Sequence, residues 1–247
     1  MNMLNFLRRN KDNVQLFYHT DMHNHILPGV DHGSQSVEQS LQMLEAEIKM
    51  GIKRVICTPH VTAETFENTP DTILPAFNAL QKAVAEAGLD VELHVSAEYR
   101  LDDFWNKQYA AGNLIPMPGK FLLVENSFMQ ELLELDELLF DLAIKGYQPI
   151  LAHPERYGYY SHRHHRYETM HNAGVCFQLN ILSLAGYFGS SARDNAVWLV
   201  KNGMVDMLGT DMHNLEHAEI IMEYLRSKDW RKMSALLEPH IMNDDIA

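Results

Sequence analysis

Cysteine is nearly absent from this sequence: Cys57 and Cys176 are the only two. Each sits in an apolar run, Val55-Ile56-Cys57 or Val175-Cys176-Phe177. That excludes a disulfide framework and a thiolate zinc cluster, and it predicts two reduced core residues, as suits the cytoplasm. Basic charge is scarce too. Against 33 Asp and Glu stand 20 Lys and Arg, a formal charge of −13, which argues against a nucleic-acid partner, whose phosphates require a basic surface. No apolar run approaches the roughly 20 residues that a membrane span needs. No glycine-rich fingerprint follows the first extended stretch, so a dinucleotide-binding fold is not favoured.

What is present is ordinary in bulk. An apolar fraction of 46% and a charged fraction of 21% suit a globular protein, and 247 residues allow one large α/β domain or two small ones. Residues 1–15 mix Met3, Leu4, Phe6 and Leu7 with Arg8, Arg9 and Lys11. They read as a frayed or loosely docked leader, or as a weak surface anchor, and not as a signal peptide, because the basic residues follow the apolar ones.

From residue 16 onward one pattern repeats. Gln15 to His19 is extended and partly aromatic. Val37, Leu41, Leu44 and Ile48 recur at helical spacing, with Ser34 or Ser36 to cap the helix and Gly51 to end it. Arg54–Cys57 reads as a strand, and a helix runs from Thr69-Pro70-Asp71 to about Gly88. Further strands are expected at 91–95, 121–124, 149–152, 175–179 and 205–208. Helices are expected at 102–111, 132–145, across the His-rich stretch to Gly174, and at 191–202. Seven strand–helix units without a linker imply one domain over 16–247 with a parallel sheet. A closed or distorted β/α barrel suits that spacing better than an open doubly wound sheet.

The polar residues collect at one end of this pattern. Asp21, His23 and His25 alternate along an extended segment and would share one face. His60 follows the second strand, Glu98 the third, Glu125 the fourth, His153 the fifth, and Asp211 with His213 the seventh. Singly, each has a plainer reading: Glu125 could cap a helix, and His60 could be a turn residue after Pro59. Together they occupy the carboxyl-terminal face of a β/α barrel, where active sites are built. Imidazole and carboxylate suit Zn²⁺, Mn²⁺ or Fe²⁺. The ligands outnumber what one ion can use, a carboxylate such as Glu98 can bridge two ions, and such clusters favour phosphoryl hydrolysis. Arg156, three residues beyond His153, could grip phosphate bidentately or merely pair with Glu155 on the surface.

Asp21-Met22-His23-Asn24-His25, Thr58-Pro59-His60, Ala97-Glu98, Val124-Glu125, His153-Pro154-Glu155-Arg156-Tyr157 and Thr210-Asp211-Met212-His213-Asn214 resemble the polymerase and histidinol phosphatase (PHP) superfamily. Leu27 to Gly33 and Ile150 to Tyr157 narrow the resemblance to its bacterial metal-dependent tyrosine phosphatases of the CpsB/CapC type. The resemblance implies a distorted seven-stranded β/α barrel with three divalent ions, manganese first and iron or zinc as alternatives. His23, His25, Glu98 and Asp211 would hold one ion. Glu98, Glu125 and His153 would hold the second, and His60, His213 and His32 the third. Glu98 and Arg156 would be catalytic, Arg156 by gripping phosphate. The implied activity is cytoplasmic hydrolysis of phosphotyrosine, on the tail of a bacterial tyrosine kinase that controls capsule or exopolysaccharide synthesis.

Two departures from that pattern stand out. His32 occupies a position where the family usually has an aspartate, with Asp31 as the competing ligand. A second phosphate-binding arginine is absent after Asn214, where Leu215-Glu216-His217-Ala218-Glu219 stands instead. The basic run His162 to Arg166 could compensate from the rim, although a solvated helix face is the simpler reading. A thiolate mechanism is not available, because the residues six beyond the two cysteines are Ala63 and Leu182 and neither is an arginine. The rival readings are a small-molecule phosphoesterase of the histidinol-phosphate kind and an inactive metal protein that docks on a kinase.

Overall fold

The computed structural model describes residues 15–246, so the expected leader lies outside the described residues except for Gln15. Nine strands appear among the described residues: β1 (Thr20–Asp21), β2 (Arg54–Cys57), β3 (His60–Val61), β4 (Glu92–Val95), β5 (Glu98–Arg100), β6 (Phe121–Glu125), β7 (Gln148–Ala152), β8 (Cys176–Asn180) and β9 (Met207–Gly209). They pair in the orders β1-β2-β4 and β3-β5-β6-β7-β8-β9. Every strand pairing among the described residues is parallel, and the result is a mixed α/β fold whose strands make a half-barrel.

The strands expected at 54–57 and 91–95 are present as β2 and β4, and each is followed by a short strand, β3 or β5, that the sequence pattern did not announce. The chain kinks between the members of each pair, at Thr58-Pro59 between β2 and β3 and at Ser96-Ala97 between β4 and β5. Pro59 has no N–H to give the ladder, yet its carbonyl accepts from Glu98 N at 3.0 Å and Cys57 O accepts from Ser96 N at 2.8 Å. The chain thus passes from β2–β4 pairing to β3–β5 pairing across a kink. The first strand also starts later than expected. The backbone of Leu16 and His19 bonds to the turn at Met50 to Arg54, and only Thr20 and Asp21 join the sheet.

Nine helices among the described residues cover the strands: α1 (Val37–Lys49), α2 (Pro70–Ala87), α3 (Asp103–Ala111), α4 (Leu135–Ile144), α5 (His165–Asn172), α6 (Ile181–Ala185), α7 (Ser190–Lys201), α8 (Leu215–Leu225) and α9 (Lys228–Leu237). Ser36 caps α1 by accepting from Gln39 N. Thr69 and Thr72 form a capping box at the start of α2, with Pro70 in its first turn. Strand alternation divides the interior in two. Val55, Leu122, Val124, Leu151, Phe177 and Leu208 face the helices in the larger core. Ile56, Leu123, Ile150, Ala152 and Met207 face inward and pack with Met22, Met117 and Ile246 in a smaller one. Glu125 lies two residues beyond Leu123 and so caps the smaller core on its inward face.

The first and last strands meet through side chains and two backbone bonds. Asn243 is fully buried: its Nδ2 donates to the carbonyls of Thr20 (2.8 Å) and Leu208 (2.7 Å), and its Oδ1 accepts from Leu208 N (2.9 Å). One amide side chain thus bridges β1 and β9 where they do not pair. Further along, Asp211 N donates to His23 O (2.8 Å) and His25 N to Met212 O (2.9 Å). Beneath this seam Thr210 Oγ1 donates to Asp21 Oδ2 (2.8 Å) and lies 3.2 Å from Oε1 of Glu47, a buried carboxyl on α1.

Burial and the neighbouring Asp21 hold the Glu47 carboxyl well above the usual carboxylate range, so it folds protonated. A carboxyl with a raised folded pKa gives stability that is full below its unfolded value of about 4.3 and is lost as pH climbs through the folded value. A glutamine amide in its place cannot ionise. Glu47→Gln should therefore gain stability relative to wild type above about pH 4.5, by at most about 1.4 kcal/mol per pH unit. Urea unfolding at pH 5 and pH 8 measures this, and a difference that does not change with pH would refute it.

Candidate metal centre

At the carboxyl ends of the strands, eight of the nine expected ligands converge. Four groups place one ligand atom per residue within 4.8 Å of one another: His23, His25 and Asp211; His23, Glu98 and His153; His60, Glu98 and Glu125; and His25, His60 and His213. Glu98 is shared as the sequence suggested, with Oε1 2.9 Å from His153 Nε2 and Oε2 2.8 Å from His60 Nδ1. The ninth, His32, belongs to none of these groups. It is exposed at the cluster's edge, its ring 4.4 Å from that of His213 and 4.9 Å from that of His60.

Local backbone aims these groups. His153 (φ 32°) and Asp211 (φ 48°) are in the left-handed region, which costs a non-glycine residue energy and is tolerated where the surroundings impose it. Gly209 packs against the site, since a Cβ there would fall 2.7 Å from His23 Cβ. At Gly33 a Cβ would fall 2.1 Å from the carbonyl oxygen of His25. Neither position has room for a side chain.

The outer hydrogen bonds leave one nitrogen of several rings facing inward. His23 Nδ1 lies 2.7 Å from Gln178 Oε1, His25 Nδ1 2.8 Å from Asp31 Oδ2, and His213 Nδ1 2.9 Å from Asp211 O. Gln178 Nε2 donates to Asn180, whose Nδ2 donates to Asp211 Oδ2. Asp31 also accepts from the backbone N–H groups of His60 and Gly33, so its oxygens are occupied behind the cluster. Gln178, Asn180 and Asp31 are the orienting shell that metal ligands require. Gln178 and Asn180 are missing from the sequence reading, although both lie on the inward face of β8 by simple alternation.

The groups fit a cation. His23 Nε2, His25 Nε2, His213 Nε2 and His153 Nδ1 are buried and make no well-formed hydrogen bond, an arrangement costly for a polar atom unless something else pairs with it. Positive charge is drawn to the same spot. Burial opposes charging His23, yet Glu98 and Asp211 outweigh it and raise its pKa to about 9. Burial likewise opposes ionising Asp211, but His23 and His25 bring it well below the usual carboxylate range. Burial and Arg156 hold His153 neutral, at about 4. Neutral imidazoles and ionised carboxylates are the forms that bind metal.

Above the cluster opens a cleft of about 480 Å³, lined by Phe66, Phe128, Tyr187, Phe188, Arg100, Arg156 and His217 as well as by cluster residues. Arg156 Nη1 donates to Asp211 Oδ2 at 3.0 Å, and its Cζ lies 3.9 Å from the ring of Phe188 and 4.8 Å from that of Phe128. The aromatic walls carried no motif and were not anticipated. Arg100 carried a signal that was missed: it lies two residues past Glu98 on the same strand face.

Residues 19–239 match the family model described as capsular polysaccharide synthesis, CpsB/CapC. The chain is similar to the tyrosine-protein phosphatase YwqE of Bacillus subtilis, with 30% identity over 79% of this chain and 78% of that one. It is similar to the tyrosine-protein phosphatase CpsB of Streptococcus pneumoniae, with 25% identity over 79% and 83%. Among solved structures it superposes on one from a study of YwqE and S. pneumoniae CpsB, described as unique metal-dependent tyrosine phosphatases. The TM-score is 0.80 at 25% identity, covering 92% of this chain and 93% of that one. The lactonase Lmo2620 of Listeria monocytogenes shares the fold at a TM-score of 0.55 and 11% identity. On the family match and the 30% identity to YwqE, the chain belongs to the CpsB/CapC family.

Proposed function

We propose that this protein is a metal-dependent phosphatase that removes phosphate from tyrosine side chains of proteins. The observation that carries the reading is the set of partnerless buried ligand atoms at the floor of an aromatic-walled cleft. His23, His25, Glu98 and Asp211 would hold one divalent ion, Glu98, Glu125 and His153 a second, and His60, His213 and His32 a third, manganese being favoured. Bound there, such ions supply Lewis-acid activation of the phosphate ester and of the attacking water. The protein's own part is positioning. Arg156, held by Asp211 and stacked on Phe188, offers guanidinium N–H groups to phosphoryl oxygens. The phenyl ring of the substrate would lie against Phe66, Phe128 or Phe188.

The reading includes one domain over 16–247, built as a distorted seven-stranded barrel in which β2 with β3, and β4 with β5, each count as one strand. Its support is the inward-facing core and the seam between residues 23–25 and 211–212. A bacterial tyrosine kinase tail is the proposed phosphoprotein, in line with the family's role in capsular polysaccharide synthesis. The cytoplasm is the proposed compartment, in line with two unpaired cysteines. No helix among the described residues is long and apolar enough to cross a membrane. The reading is tested by turnover of a phosphotyrosine peptide against histidinol phosphate by the metal-loaded protein. Preference for histidinol phosphate would favour a small-molecule phosphoesterase.

Activity should vanish on chelation, return with Mn²⁺ at least as well as with Mg²⁺ because imidazole ligands dominate, and need no thiol. Burial pushes the Cys57 and Cys176 thiols up to about 12 and about 11, far from a thiolate nucleophile. A folded Cys57→Ser, Cys176→Ser double variant should keep its turnover, and losing it would contradict this mechanism.

Arg156→Ala should lower kcat/KM by roughly 10- to 1,000-fold, about 1.4–4 kcal/mol, while metal content stays nearly constant. Wild-type kinetics in that variant would reduce Arg156 to a structural ion pair with Asp211.

His32→Ala should reduce bound metal by about one ion and cut activity sharply, whereas His32→Asp should keep much of both. Asp31→Asn should cost less metal, because the oxygens of Asp31 are spent on His25, His60 N and Gly33 N. Elemental analysis with the order reversed would make Asp31 the ligand.

A further inference from the structure

A phosphate monoester carries close to two negative charges at neutral pH, and this cleft already contains Glu125 and Asp211. Among the described residues lining it, Arg156 and Arg100 are the only Lys or Arg side chains. The basic run that could have helped from the rim is engaged elsewhere: Arg163 pairs with Glu131, and Arg166 with Glu131 and Asp136, around a separate depression. On the far side of Asn214 the cleft wall is His217, whose Nε2 lies 3.1 Å from Tyr187 OH.

We propose that Arg100 is a second phosphate-binding residue, gripping phosphoryl oxygens from the β5 side of the cleft while Arg156 grips them from beyond β7. This rests on the phosphatase reading above. Three observations support it. Arg100 follows Glu98 by two positions in β5, so the strand that aims Glu98 into the cluster aims Arg100 the same way. In sheet order β6 lies between β5 and β7, and Phe128, just past β6, is approached by both guanidinium groups, Arg156 at 4.8 Å and Arg100 at 5.9 Å from its centroid. Lastly, Arg100 is loosely tethered. Its one side-chain hydrogen bond among the described residues is Nη1 to Glu125 Oε2 at 3.4 Å, and the side chain is 31% exposed. That length is near the limit of a hydrogen bond, and it leaves the rest of the fork for an incoming anion.

The competing role is structural, with Arg100 merely holding Glu125. Arg100→Met and Arg100→Lys separate the two when metal content, kinetics on a phosphotyrosine peptide and inhibition by orthophosphate are measured together. Arg100→Met should keep its metal and raise both KM and the orthophosphate inhibition constant by about 10- to 100-fold, with a smaller change in kcat. Arg100→Lys should recover part of the loss, since it keeps the charge but not the fork. An unchanged inhibition constant, or a loss of metal that accounts for the kinetic defect, would overturn the proposal. Should the wild-type protein turn over no phosphotyrosine peptide, the phosphatase reading fails on its own. Arg100 is then judged by calorimetric binding of orthophosphate to the metal-loaded proteins. Binding at least tenfold weaker in Arg100→Met supports its role, while equal binding, or none to wild type, rejects it.

Discussion

Two backbone hydrogen bonds, from Asp211 N–H to the carbonyl of His23 and from His25 N–H to that of Met212, tie the start of the chain to its last strand. The candidate metal centre depends on them. They put Asp211 Oδ1 3.2 Å from His25 Nε2 and 3.5 Å from His23 Nε2, across a sequence distance that no local preference could close. Asn243 bridges the same seam lower down. The Thr210–Asp21–Glu47 hydrogen bonds brace it from behind. Asp211 sits in the left-handed region as part of this junction, where the surrounding bonds offset a conformational cost of order 1–3 kcal/mol.

The cluster itself concentrates charge: Glu98, Asp211 and Glu125 lie close together, buried beneath the cleft among histidine rings. Burial, with Glu98 beside it, raises the Glu125 carboxyl to about 8. Divalent cations are the natural counter-charge. Orienting bonds from Gln178, Asp31 and the Asp211 carbonyl fix which ring nitrogens are left to meet them. Around the mouth, aromatic rings and two arginines replace carboxylates, so the floor suits cations and the walls suit an aromatic anion.

Some of this was legible from residues alone. Alternation of β-branched runs with 3.6-residue periodicity announced parallel strands and covering helices. The position of His60, Glu98, Glu125, His153 and Asp211 at strand ends announced a shared face, because parallel strands all finish on the same side. Other parts were not legible. The short helix α6 follows directly on β8, with the side chain of its N-cap residue Asn180 given to Asp211 and not to the helix, and the two- and three-residue strands β3 and β5 beyond the kinks at Thr58-Pro59 and Ser96-Ala97 are too short to leave a pattern. His32 was placed among the ligands by motif position, while the fold holds it exposed beside the four groups.

By itself the sequence determined the residue types, their order along the strands, and hence which side of the sheet would carry the chemistry. Those follow from local propensity and from the two-residue period of a strand. Only the tertiary structure decided which atoms of Glu98 meet which histidines, that Asp31 stands behind His25, and that Arg100 and Arg156 approach one ring. Such distances depend on register between strands, on kinks and on loop packing, all fixed by contacts between residues far apart in the chain.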